Sequence, residues 1–437
     1  MTQQRSSTKK WKIVLGILFL CFLGSQLIRP RIDHPPVTAD IHAPDEIKQI
    51  LRTACYDCHS NETNLLWFDK ITPANWLVAG HIEEGRKVLN FSHWDSLSKD
   101  QQKGKLFESL NQIVFNVMPI KQYTLFHPAS KVSAQQVSVL RAYLGTLIME
   151  IRPDSAKDRL ALEQTNKWIQ GPNTAAEVKA APNGIAFIPD YKNWQAISST
   201  ERLDNGTMRV ILGNEIAVKA INMRQTHPWP DGTSFAKVAW DQLIDPAGII
   251  HTGEFKQVEF MIKDRKKYAS TDGWGFARWV KGLQLAPYGK TALFTTECVH
   301  CHEPMRNHDF VFTTPLDPAP PVQGDPSFDP LKWKVIHSSI DPRNHTMSTL
   351  YGNKEKGAAL ALVTWSQKED EHWYGALIPG TILSIEQVRF EGSTKDLSPP
   401  LYERYEGSPL KKSTGDLSET AKARTAYILG QKASVLP

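Results

Sequence analysis

Cysteine is nearly absent from this chain. It has five in 437 residues, and four of them fall in two C-x-x-C-H strings, Cys55-Tyr-Asp-Cys58-His59 and Cys298-Val-His-Cys301-His302. The fifth, Cys21, lies in an apolar run, so no pair remains for a structural disulfide. Long apolar stretches are equally scarce: Ile13 to Ile28 is the one such run, which excludes a multi-span membrane protein. An excess of one charge is missing too. The net +5 contains Arg5, Lys9, Lys10 and Lys12 ahead of that run, and subtracting those four leaves +1, too little for a nucleic-acid or polybasic membrane surface.

The Ile13–Ile28 run, with cations before it and Arg29-Pro-Arg after it, is just long enough for a spanning helix or a signal-peptide core. The cationic flank belongs on the inner side. No A-x-A-like site follows, so the expectation is an uncleaved single-pass anchor (residues 1–30) in a bacterial inner membrane, with periplasmic domains beyond it. A cleaved signal is the alternative.

A chain of this length implies several cores. Residues 44–150 show apolar recurrence at helical spacing, as in NWLVAGHIEEGRKVL. Gly171-Pro172-Asn173 and Ala181-Pro182-Asn183-Gly184 punctuate a linker. From about 190 the pattern turns to strands in MRVILGNEIAVKAI, SFAKVAW and EFKQVEFMIKD. A second linker, Thr313 to Pro330, holds six prolines in eighteen residues.

Beyond it the chain repeats itself. With an offset of 139, residues 193–214 align without gaps on 332–353, with eight identities in 22 positions that include Trp194/Trp333, Met208/Met347 and Asn214/Asn353. GTSFAKVAWDQ resembles GAALALVTWSQ, and QVEF at 257 resembles QVRF at 387. The expectation is a duplicated unit, residues 330–437, that packs on the first as a pseudo-dimer.

Each C-x-x-C-H string offers two thiols for the haem vinyls and a histidine for the iron. Zinc or dithiol chemistry would need a second ligand pair or a thioredoxin-like βαβ unit, and neither is evident. Two covalent haem c groups are therefore expected, on Cys55, Cys58 and His59 and on Cys298, Cys301 and His302. Met118-Pro119 lies 59 residues past the first histidine and offers a thioether for the far side of that iron, with His81 or His127 as alternatives. No methionine stands at that spacing after His302, which implies an open iron.

The string CYDCHSNETNLLWFDKITPANWLVAGHIEEGRKVLNFSHW, with Met118-Pro and YTLFHP, resembles a small bacterial haem-binding domain over residues 44–150. Residues 185–315 resemble cytochrome P-460, a β-sheet family similar in fold to cytochrome c prime beta. The motifs are Asp231-Gly232-Thr233 to Lys237, Trp274-Gly-Phe-Ala-Arg-Trp279, the second C-x-x-C-H and Asp309-Phe-Val-Phe-Thr313. The resemblance implies a bond from Lys237 to the haem macrocycle, and a distal arginine and carboxylate at Arg209 and Glu259. Strand alternation independently places Lys237 with Phe235 and Ala239, and Glu259 with Phe255 and Met261. In the repeat, alignment sets Ser348, Leu362 and Arg389 at the positions of Arg209, Lys237 and Glu259.

The expected fold is thus multidomain: a transmembrane helix, a small all-α c-type cytochrome-like domain, and two related, mainly β (α+β) units. The implied activity is oxidation of hydroxylamine, with or without nitric oxide, at the second haem. Electrons would leave through the first to an external cytochrome. The competing function is nitric oxide binding or dihaem electron transfer without turnover.

Overall fold

The computed structural model describes residues 4–148, 151–171, 178–317, 330–353, 359–390, 400–414 and 418–437. It divides into two compact units, Met1–Gly145 and Thr146–Pro437. The Gly171-Pro172-Asn173 and Thr313–Pro330 linkers fall largely outside the described residues.

The first unit is helical: α1 (Gln4–Ser25), α2 (Asp45–Ala54), α3 (Tyr56–His59), α4 (Ala74–Val88), α5 (Lys99–Val114), α6 (Lys121–Phe126) and α7 (Ala134–Thr146). In α2 the spacing of Ile47, Ile50, Leu51 and Ala54 buries one face. A reciprocal box of Ser98 and Gln101 starts α5. Tyr56 stacks on Phe91 at 4.8 Å and Phe91 on Trp94 at 5.6 Å, which fixes the C-x-x-C-H turn against the core.

The expected membrane anchor is not supported. Among the described residues no helix is long and apolar enough to cross a membrane. The reason lies in the ends of α1. It stops at Ser25, so its uncharged part from Ile13 spans about 20 Å against a hydrocarbon layer of about 30 Å. Any longer stretch takes in Lys12, Lys10 and Lys9.

The second unit opens with α8 (Ser155–Gln170) and is built on antiparallel strands. The first set is β1 (Gln195–Arg202), β2 (Thr207–Gly213), β3 (Ser234–Ile244), β4 (Ile250–Lys263), β5 (Trp274–Val280) and β6 (Ala286–Pro287). The second set is β7 (Lys334–Asp341), β8 (Thr346–Asn353), β9 (Ala359–Glu369), β10 (Ala376–Arg389), β11 (Leu401–Glu406) and β12 (Lys411–Lys412). Both run in sequence order, each strand pairing with the next. Helices α9 (Glu215–Asn222), α10 (Phe294–His302) and α11 (Ser418–Leu429) lie among and after them. NEIAVKAI, read as strand from its branched residues, is instead the helix α9. The side chain of Asn214 accepts the Ala217 N–H and caps it, overriding a weak β preference.

The two sets are joined twice. β4 pairs β7 at Ile250 and Ile340, and β1 pairs β10 at Arg202 and Ala376, which closes the sheet. One face of both sets packs into a single core that includes Trp240, Phe260 and Trp279 from the first and Tyr351, Trp365 and Ile385 from the second. At the join, buried Glu201 of β1 accepts hydrogen bonds from Gln242 of β3 at 3.0 Å and Gln367 of β9. These glutamines occupy the same position in the two repeats.

The other face differs between the sets. In the first, Ile211, Phe235 and Phe276 form a separate cluster with Cys298 of α10. In the second, Leu350, Leu362 and Val388 are covered by Ile428 of α11. Register also corrects the repeat alignment. Leu362 lies opposite Glu386, as Lys237 lies opposite Glu259, so the counterpart of Glu259 is Glu386 and not Arg389. The bulges fall at matching points, beside Trp240 of β3 and Trp365 of β9, so the two strand pairs share one register and the QVEF–QVRF match lies out of step with it.

Replacing Glu201 by alanine leaves the buried amide of Gln242 and the half-buried amide of Gln367 without this partner and should cost about 1–3 kcal/mol. Burial raises the Glu201 carboxyl above its unfolded value, so its charge destabilises the fold increasingly as pH rises, a component Glu201→Ala removes. Urea unfolding across pH measures both. A loss below about 0.5 kcal/mol would contradict the role given to this clamp.

Candidate functional site

In the first unit, the C-x-x-C-H turn fits closely against α4. A Cβ on Gly85 would come within 2.8 Å of the Cys58 carbonyl oxygen, so only glycine lets the helix approach. That approach brings the Gly85 and Leu89 carbonyls to 3.0 and 3.1 Å from His59 Nδ1. A carbonyl only accepts, so Nδ1 carries the proton and Nε2 keeps its lone pair free for a metal. Burial holds His59 below the usual histidine range, which keeps the ring neutral.

Tyr123 of α6 donates to Asp57, inside the C-x-x-C-H string, and stacks on His127 at 4.0 Å. This ties the turn carrying Met118 to the string. His127 is engaged at both nitrogens, by the Tyr123 carbonyl at 3.1 Å and Asp69 at 3.0 Å. Met118 is 38% exposed, and Trp67, Trp76, Leu77, Leu125 and Phe126 are also exposed in this unit. Such uncovered apolar surface is what a flat, apolar macrocycle would cover.

In the second unit, α10 presents Cys298, Cys301 and His302. His302 Nδ1 donates to the Phe310 carbonyl at 2.7 Å, again leaving Nε2 free. Asp309 and Phe310 hold left-handed backbone, with φ of 51° and 65°, which costs energy for residues other than glycine. Asp309 is fixed there by buried Lys263 at 2.7 Å and by the Trp229 N–H at 2.9 Å. The motif residues Asp309 and Phe310 thus aim one carbonyl at one imidazole. The ring packs between Phe276 at 5.2 Å and Phe312 at 5.0 Å, and burial pushes it down to about 4.

Neither thiol pair forms a disulfide, and burial pushes Cys55 and Cys298 up to about 12 and Cys58 to about 11. Thiols held protonated do not suit a dithiol exchange centre. Among the described residues no group of three or more His, Cys, Asp or Glu is arranged to hold a metal ion. Two thiols beside one neutral imidazole, with apolar surroundings, fit covalent haem.

Gly232 at φ +89 turns Asp231-Gly232-Thr233 into β3 and so sets the face of Lys237. The register of β2, β3, β4 and β5 then places Ile211, Lys237, Glu259 and Arg278 side by side. Lys237 Nζ is 2.7 Å from Glu259 Oε2, and Arg278 Nε is 3.4 Å from Oε1, an ion pair without a hydrogen bond. Gln257, two residues before Glu259, donates its amide to Oε1. Arg209 is one pair along on the same face, opposite Ala239, and bonds Thr207 at 3.3 Å. The carboxylate's arginine partner is therefore Arg278.

Burial alone would raise Glu259, but Arg278 and Lys237 outweigh it and hold the carboxyl below its usual range. Burial pushes Lys237 down to about 8, with Arg209 and Arg278 adding to the effect and Glu259 opposing it. Burial likewise lowers Arg209, though a guanidinium keeps its proton. The amine of Lys237 is thus close to losing its proton near neutral pH, as a nucleophile must. Arg278 and Gln257 were not singled out from sequence. The signal was the alternation of Trp274, Phe276 and Arg278, but only strand pairing shows that Arg278 faces Glu259.

Residues 20–146 match the family model of a haem-binding domain, and residues 188–313 match that of Cytochrome P460. No match was found among curated proteins. The chain is a haem cytochrome that carries a haem-binding domain followed by a Cytochrome P460 domain.

Proposed function

We propose that this chain is a dihaem c-type cytochrome whose second site oxidises hydroxylamine, with or without nitric oxide, and passes the electrons to the first. Cys55 and Cys58 would hold one haem, with His59 and Met118 as iron ligands. Cys298 and Cys301 would hold the other, with His302 as its ligand. The observation that carries the reading is the row of Lys237, Glu259 and Arg278 on the sheet face that packs against the Cys298 helix.

When bound, the haems supply a binding position for a small nitrogenous ligand and a path for electrons. The chain supplies the rest. Each electron withdrawn from hydroxylamine leaves with a proton, and Glu259, held ionised, is the group able to accept one. Arg209 adds a cation on the same face to balance developing negative charge. Lys237 would exchange one N–H, against one C–H of the macrocycle, for a single N–C bond, with two electrons and two protons taken up by a peroxide. The Phe310 carbonyl keeps His302 oriented throughout. Delivery to an external acceptor cytochrome and a periplasmic location belong to the same reading.

The intact mass after acid–acetone extraction should exceed that of the polypeptide by two haems. One haem would leave only one string in use, and a third would show that the 330–437 unit binds haem as well. Met118→Ala should turn the first site from low to high spin in electron paramagnetic resonance, and an unchanged signal would remove Met118 as ligand.

The bond from Lys237 needs the neutral amine. Its formation in peroxide-treated, haem-loaded protein should therefore speed up as pH rises through about 8 and level off above it. Tryptic digestion reads this directly, because a bonded Lys237 is not cut and its peptide travels with the one holding Cys298 and Cys301. Separate peptides at every pH would exclude the bond.

A further inference from the structure

Glu259 has cations on both sides, and one of them is committed elsewhere by the reading above. Lys237 faces it from β3 and Arg278 from β5. The two hold different oxygens: Lys237 is on Oε2, while Arg278 and Gln257 are on Oε1. Once the nitrogen of Lys237 is bonded to a conjugated carbon it no longer carries an ammonium charge. A buried carboxyl that loses its cation takes up a proton, and a protonated carboxyl cannot accept another.

We propose that Arg278 is the positioning residue of the second site. With Gln257 it keeps hold of Oε1 and keeps Glu259 charged after Lys237 has been used, which frees Oε2 for the incoming nitrogenous substrate. The proposal deepens the hydroxylamine reading and rests on it.

Three observations support it. A guanidinium does not give up its proton in a protein, so Arg278 is a permanent counter-ion. Its orientation is fixed from outside the row. The guanidinium lies over the Tyr288 ring at 4.7 Å, the Tyr288 N–H donates to the Arg278 carbonyl at 2.8 Å, and the Tyr288 hydroxyl donates to Glu297 of α10 at 2.8 Å. The carboxylate's holder is thereby tied to the helix that bears Cys298.

The repeat supplies the third. There Leu362 replaces the lysine, yet Glu386 still stands opposite it, buried, with Arg404 opposite in turn on β11. Arg424 of α11 reaches in to clasp Glu386 at 2.6 and 2.8 Å, and Tyr402 adds a hydroxyl. A carboxylate at this register position without a lysine is held by an arginine. Arg209 does not fill that place in the first set, since its side chain bonds Thr207 and, among the described residues, makes no ion pair with Glu259 as Arg278 does.

The test is infrared spectroscopy of the full, haem-loaded chain, following the protonated-carboxyl band assigned by its loss in Glu259→Gln, alongside hydroxylamine oxidation over the same pH range. Wild type should show no such band at pH 7. Arg278→Gln should gain it at pH 7 and lose it as pH rises, with kcat down about tenfold or more at pH 7, KM changed far less, and part of the activity returning at high pH. Arg278→Lys should stay free of the band. If Arg278→Gln does not accumulate, titration of the wild type still decides, because a band already present near pH 7 would overturn the proposal. So would its absence in Arg278→Gln from acid to alkaline pH. The band does not depend on turnover. Its gain in Arg278→Gln, in a wild type that oxidises no hydroxylamine, would leave the placement of Arg278 standing and remove the reaction.

Discussion

Closure of a duplicated sheet is the constraint from which the rest of the second unit follows. Neither six-stranded set alone covers its large aromatic residues. Joined through β4–β7 and β1–β10, they share one core around Trp240, Trp279 and Trp365. With that face buried in common, each set has one face left. The first uses it for Lys237, Glu259 and Arg278 under the helix of Cys298, and the second fills it with Leu350, Leu362 and Ile428. One architecture thus carries a chemical site on one side and ordinary packing on the other.

Placing ionisable groups on a largely buried face is costly, and their arrangement shows how the cost is met. Cations and a carboxylate alternate along the row at 2.7 and 3.4 Å, so each charge has an opposite neighbour. The same burial pushes Lys237 toward its neutral form and keeps His302 uncharged. Both shifts favour the chemistry of a prosthetic group. The left-handed pair Asp309 and Phe310, secured by Lys263, spends backbone strain to orient one histidine, and α4 reaches the same end in the first unit by packing Gly85 against Cys58.

Much of this was legible in the sequence because it is local. A C-x-x-C-H string is read without knowing the fold, and strand alternation put Lys237 with Phe235 and Glu259 with Met261 before any pairing was known. A bulge beside Trp240, however, turns Phe255 to the other face, into the shared core. What was missed depends on pairing. Arg278 sits in a motif that was noticed, but its meeting with Glu259 is a property of β4–β5 register. The repeat was evident from eight identities, yet matching QVEF to QVRF chose Arg389 over Glu386, since a four-residue likeness carries no information on which residue faces Leu362 across the strand pair. Branched residues made α9 look like strand, and Asn214 decided otherwise. The first apolar run suggested a span that α1 is too short to supply.

The central claim is that the second site withdraws electrons from hydroxylamine and the first receives them. The direct measurement is the optical spectrum of the oxidised, two-haem chain after anaerobic addition of hydroxylamine. The account predicts reduced c-type bands from the His59 haem, appearing at a rate that Glu259→Gln lowers about a hundredfold. A spectrum that stays oxidised with hydroxylamine, while nitric oxide still binds, would contradict it and leave a binding or carrier protein.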